Sequence, residues 1–155
     1  MVRPLWIIVV AAAFMACTSD RSFGPDGVIG EYTLTQMGAE RMPSTLKVGE
    51  PDPSCGSGGT ITVTVSAGQL RLLDTRQFRL HLVYAIECVT ATGLKQARQE
   101  IEQDSGTFGV RGEFIELHST NGKKFEAEES DGILRFLFQP WYGNRPLSMM
   151  FTRVS

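Results

Sequence analysis

The side chains with reactive capacity in this chain of 155 residues are its three cysteines, its two histidines and a short run of acids. A metal centre needs three or four such ligands brought together, usually betrayed by short spacings between them. His81 and His118 stand far apart, each at an alternating position among charged neighbours, so both read as solvent-facing and no metal site is expected. Glu126, Glu128, Glu129 and Asp131 lack the alternating ligand loop of a calcium hand and read as a solvated strand edge and turn. The sequence holds neither a phosphate-cradling glycine motif nor a G-x-S-x-G elbow. The expectation is a non-catalytic protein that carries no cofactor.

The cysteines speak more clearly. Cys17 ends the stretch AAAFMAC, upstream of which lie a positive start at Arg3, an apolar run over residues 5–16 and small residues before a cut. These are the parts of a secretory signal. The apolar run falls short of the about 20 residues that span a bilayer as a helix, so it reads as a leader over residues 1–16 and not as a permanent anchor. Phe14-Met15-Ala16-Cys17 resembles the bacterial lipobox, with a large apolar residue three before the cysteine and a small one just before it. The resemblance implies that Cys17 becomes the first mature residue, carrying a thioether-linked diacylglycerol and an acylated amino group. Two or more acyl chains anchor stably, at about 0.8 kcal/mol per buried methylene. The implied address is outside the cytoplasm, lipid-anchored at a bacterial membrane, the outer membrane facing the periplasm, with the bilayer as partner through Cys17. Ordinary cleavage near Ala13, leaving Cys17 a spare thiol, is the alternative.

An exported chain with one cysteine given to lipid has two left, and Cys55 and Cys88 are the expected disulfide in an oxidising compartment, against two separately buried thiols. Loss of the leader takes Arg3 and no acid, moving the formal charge from −2 to −3. A mildly acidic chain without a Lys/Arg-rich run is no candidate for nucleic acid. Residues 18–27 are small, polar and broken by Gly and Pro, so residues 17–29 read as the lipidated N-terminus and a flexible tether. One domain, residues 30–155, follows.

That domain is written in period-two alternation, the signature of half-buried strands. GEYTLTQ (30–36) and STLKV (44–48) read as strands, and the Pro/Gly/Ser-dense stretch around Cys55 as loop. TITVTVSAGQLRLLD reads as a hairpin turning at Ala67-Gly68. A long strand over 77–88 puts Phe78, Leu80, Leu82, Tyr84, Ile86 and Cys88 on one face. Residues 96–103 read as a strand paired back onto it, although ARQEIEQ has some helical propensity. TFGVRGEFIEL and KFEAEESDGILRFLF look like two copies of one Gly-turned hairpin, and residues 147–154 form the last strand after the aromatic loop QPWYGNRP. The fold class expected is all-β, an antiparallel up-and-down meander of about eight to ten strands, closing as a barrel in preference to a sandwich because closure removes exposed edges.

Gly30-Glu31-Tyr32-Thr33-Leu34, Met42-Pro43-Ser44-Thr45-Leu46, the Gly-turned hairpins and the closing Phe151-Thr152-Arg153 resemble bacterial lipocalin-like domain lipoproteins. Lipocalins have Trp where Tyr32 stands and pack an Arg of the last strand over it, so the resemblance implies a contact between Arg153 and the Tyr32 ring, of about 0.5–2 kcal/mol. It also implies a small apolar or amphipathic ligand. Candidate lining residues are Tyr32, Phe78, Leu80, Leu82, Tyr84, Phe136 and Phe138, with Trp141 and Tyr142 at the barrel mouth. The second reading is a solid barrel whose loops contact another envelope protein, with Trp141 and Tyr142 serving as that contact or as a lid.

Overall fold

The computed structural model describes residues 25–154; the leader, Cys17 and the tether up to residue 24 lie outside the described residues. A helical turn, α1 (Pro25–Val28), leads into β1 (Gly30–Met37), β2 (Glu40–Arg41) and β3 (Ser44–Pro51). A 3-10 turn (Pro53–Cys55) precedes β4 (Thr60–Leu72), β5 (Gln77–Val89), β6 (Lys95–Arg111) and β7 (Phe114–Ser119). The chain finishes with β8 (Lys124–Ser130), β9 (Ile133–Phe138) and β10 (Leu147–Arg153). From β3 to β10 each strand pairs antiparallel with the next, and β1 pairs with both β10 and β4, so β1 and β4–β10 close an eight-stranded barrel to which β2 and β3 add. The all-β meander and its closure are as expected, and the geometry is consistent with a lipocalin-like fold.

Alternation fills the barrel. Along β5, Phe78, Leu80, Leu82, Tyr84, Ile86 and Cys88 point inward and are buried, while the intervening residues face outward. Inward side chains of β1, β4, β9 and β10 meet them in one continuous core, in which each large apolar group contributes about 1.5–3 kcal/mol. Cys55 and Cys88 are joined, Cα to Cα 5.3 Å, fastening the 3-10 turn to the end of β5.

Two segments differ from their expected form. TITVTVSAGQLRL, the body of the expected hairpin, is one strand, β4. Its register against β5 slips between Val65 and Ala67, a bulge that bends the strand without reversing it. Gly68 is there for a close approach: a Cβ at that position would lie 2.8 Å from the Leu34 side chain of β1. Residues 96–103 and the first arm of the TFGVR hairpin are also one strand, the 17-residue β6, which pairs with β5 along its first part and with β7 along its last. That stagger tilts the strands around the barrel.

Candidate functional site

Strand direction separates the two ends of the barrel. Met37 at the end of β1 lies opposite Met149 near the start of β10, whereas Tyr32 near the start of β1 lies opposite Arg153 at the end of β10. The loop of residues 139–146, with Trp141 and Tyr142, therefore covers the Met37 end, and α1 covers the Tyr32 end.

The seven candidate lining residues all point inward, but they are divided between these ends and the core between. Tyr32 closes one end: its hydroxyl donates to the Val28 carbonyl at 2.7 Å, and the Arg153 guanidinium sits 6.0 Å from its ring centroid, the contact the resemblance implies. Arg153 also donates to the Gly27 carbonyl at 2.8 Å and to that of Ile29. Burial pushes the Tyr32 hydroxyl's pKa up, with Arg153 opposing. Phe78, Leu80 and Leu82 are buried core residues of β5. Phe136 stacks on Phe151 at 5.5 Å and meets Phe138 edge-on at 6.5 Å, while Phe125 reaches Phe138 at 5.4 Å. These seven residues are at most 4 % exposed and fill the interior with one another and their neighbours.

Tyr84 belongs to the other end and is the one interior candidate brought together with Trp141 and Tyr142. Tyr142 meets its ring edge-on at 5.3 Å and Trp141 lies parallel at 6.4 Å. Trp141 remains 60 % exposed and Tyr142 half-buried. Two acids of β6 hold the arrangement. The Glu102 carboxylate accepts from the Tyr84 hydroxyl and from the Trp141 backbone N–H at 3.0 Å, and Glu100 accepts from the Tyr142 hydroxyl at 2.6 Å and from Arg98 Nε at 2.8 Å. Asp104, next inward on the same face, accepts from Ser119.

The environments of these acids push them apart. Burial raises the Glu102 pKa against the lowering effect of Tyr84 and Trp141. The hydrogen bond from Tyr142, then that from Arg98, lowers the pKa of Glu100. Both tyrosines are held protonated, Tyr84 and Tyr142 each chiefly by burial and then by the carboxylate they bond. The cap is thus a set of neutral phenols donating to carboxylates.

The acids were missed in the sequence although their spacing carried a signal. Glu100, Glu102 and Asp104 recur at every second position, which in a strand places them on one face.

Beside the cap a cleft of about 350 Å³ opens between the β1–β3 bend and the 139–146 loop, lined by Met37, Leu46, Leu147, Glu40, Ser44 and Arg145. Cavities of about 660 and 510 Å³ lie on the outer wall, the first against Thr62, Thr64, Ala85 and Ala97, the second against Arg79, His81 and Asn121. His118 faces Glu116 at 3.6 Å, both well exposed. Among the described residues no group of three His, Cys, Asp or Glu is placed to hold a metal. Glu129 Oε2 at the Tyr32 end is buried without a hydrogen-bond partner, its Oε1 accepting from the Gly132 N–H at 2.8 Å.

No protein-family model, curated protein or solved structure matches the chain. The likeness to the lipocalin-like fold therefore rests on geometry: the closed meander and the Arg153–Tyr32 contact beside the first strand.

Proposed function

We propose that the protein is a non-catalytic lipoprotein, exported and moored through Cys17, whose barrel is a solid scaffold and whose working surface is the end capped by Trp141 and Tyr142, set against a protein partner of the cell envelope. The observation that carries this reading is the interior itself. The side chains that would line a ligand cavity are stacked on one another and nearly without exposure, while a large aromatic ring, Trp141, is left in solvent on a loop tied down by hydrogen bonds. A fixed, exposed indole is the kind of group that anchors protein contacts, because its area is large and its ordering cost already met.

A second reading, a small amphipathic ligand, is favoured by the cleft at the same end. Its mixed lining, apolar Met37, Leu46 and Leu147 with polar Glu40, Ser44 and Arg145, and its volume of about 350 Å³ suit such a molecule.

Native mass spectrometry of the protein purified from its own envelope, combined with photo-crosslinking from position 141 in cells, separates the two. An empty barrel with a protein adduct at position 141 is expected; a small molecule retained at one per chain, and lost on Leu147→Arg, would overturn the first reading in favour of the second. Cys17→Ser should abolish acylation and membrane partitioning.

A further inference from the structure

The free edge of β6 carries an inference that stands apart from the proposed function. β5 pairs with β6 in unbroken register from Gln77 opposite Thr107 to Val89 opposite Lys95, whereas β7 pairs only from Gly106 onward. On the β7 side the Ser105 carbonyl still receives the Thr120 N–H at 2.9 Å. Between Lys95 and Asp104 no strand lies beside that edge among the described residues, and residues 95–99, 101 and 103 are exposed. Half of the backbone N–H and C=O groups there face outward, a template for another strand.

Another outer edge of this sheet, β3, is blunted. Its register against β4 slips twice, Gly49 has φ +60° and Pro51 offers no N–H. The β6 edge has no proline, glycine or bulge over residues 95–105. Its charge is instead split, with Lys95 and Arg98 ahead of Glu100 and Glu102.

We propose that this edge joins two copies of the chain by antiparallel strand pairing about a two-fold axis at Gln99. A two-fold axis normal to the sheet keeps inward faces together, so a residue can oppose only residues an even number of positions away. Centred on Arg98 or on Glu100, the pairing sets a charge against its own copy. Centred on Gln99, it sets Arg98 of each copy against Glu100 of the other and Ala97 against Ile101 of the other. Ile101, 52 % exposed in the single chain, gains an apolar neighbour. Two charge pairs and two apolar pairs then form at once with the backbone ladder.

The test uses the full chain carrying Cys17→Ser, so that an introduced thiol is the only free one. Sedimentation should find a dimer, and Gln99→Cys should give a disulfide-linked dimer on mild oxidation. Lys95→Cys should not, because the two copies of residue 95 would be about 26 Å apart, eight residues at about 3.3 Å each. Arg98→Glu should weaken the dimer about tenfold or more with the circular dichroism unchanged, and Arg98→Glu combined with Glu100→Arg should restore it. A monomer at high concentration, or a dimer that cross-links equally well at position 95, overturns the proposal. So does a monomer whose amides at residues 95–103 are protected from exchange, since that would mean the chain's own N-terminal segment covers the edge.

Discussion

At the α1 end of the barrel, a cation and a phenol fasten the chain to itself through backbone carbonyls: Arg153 to those of Gly27 and Ile29, Tyr32 to that of Val28. At the opposite end two phenols and a backbone N–H are fastened to carboxylates, Glu100 and Glu102, that are pushed to opposite sides of the ordinary acid range. The hydrogen bonds of the first closure end on backbone carbonyls, which do not titrate. The second depends on which acids are ionised. The difference separates a structural seal from a closure that can respond, and it places the responsive one beside the exposed indole.

The largest expected effect concerns what backs up the responsive end. The Cys55–Cys88 bridge spans 33 residues and ties the 3-10 turn to the end of β5 on the same side of the barrel as Tyr84. Replacing both cysteines with alanine should lower stability in urea by about 3–4 kcal/mol. Amide exchange should quicken more in residues 139–146 than in α1. Equal acceleration at both ends would show that the bridge supports the two closures alike.

Next in size is Arg153→Met. It removes two charge-assisted hydrogen bonds and the contact with the Tyr32 ring, an expected loss of about 2–3 kcal/mol. Because no carboxylate takes part, the loss should be the same at about pH 5 and about pH 8. A loss that shrinks on acidification would mean that Glu129, which lies close enough to Tyr32 to raise its pKa, shares in the seal.

The structural end was the more legible one. Alternation fixed which residues of β1, β5, β9 and β10 face inward, and the resemblance pointed to Arg153 and Tyr32 because both lie in regular strands whose faces can be counted. Pairing of Cys55 with Cys88 was the expectation once Cys17 was assigned to lipid, and the two are joined. The cap was legible only in part. Trp141 and Tyr142 stand out between prolines, but their partners Glu100 and Glu102 are distant in sequence, and a buried acid on a strand looks like a solvated one until its face is assigned. The reading of a turn at Gly68 failed for a related reason. A missing side chain can permit a reversal or a close crossing, and only Leu34, far away in the chain, decides for the crossing.

Glu102 sharpens the contrast through pH. Burial raises its pKa in the folded chain, so the stability it contributes is full at acid pH below the ordinary carboxylate range and is lost as pH rises through the folded value. Glu102→Gln keeps an acceptor for Tyr84 and Trp141 but removes the titration. Relative to that variant, the parent protein should gain stability as pH is lowered from about 7 to about 4, measured from urea midpoints. A parallel pair of curves would mean that water reaches the Glu102 carboxyl in the folded state.

Tyr142→Phe has the smallest expected effect and the opposite sign of pH dependence. The hydroxyl holds the Glu100 carboxylate below the ordinary range, so its contribution is present above that range and lost as pH falls through the folded value. Glu100 is about a third exposed and keeps Arg98 as a second partner, so solvent screening limits the loss to about 0.5–1 kcal/mol near neutrality. The difference from the parent should vanish once Glu100 is protonated. Tyr32→Phe, which deletes a phenol bonded to a carbonyl at the other end, should cost a similar amount at every pH. If both variants lose their effect on acidification, then the two closures share a titrating group, and the responsive character assigned to the Trp141 end belongs to the barrel as a whole.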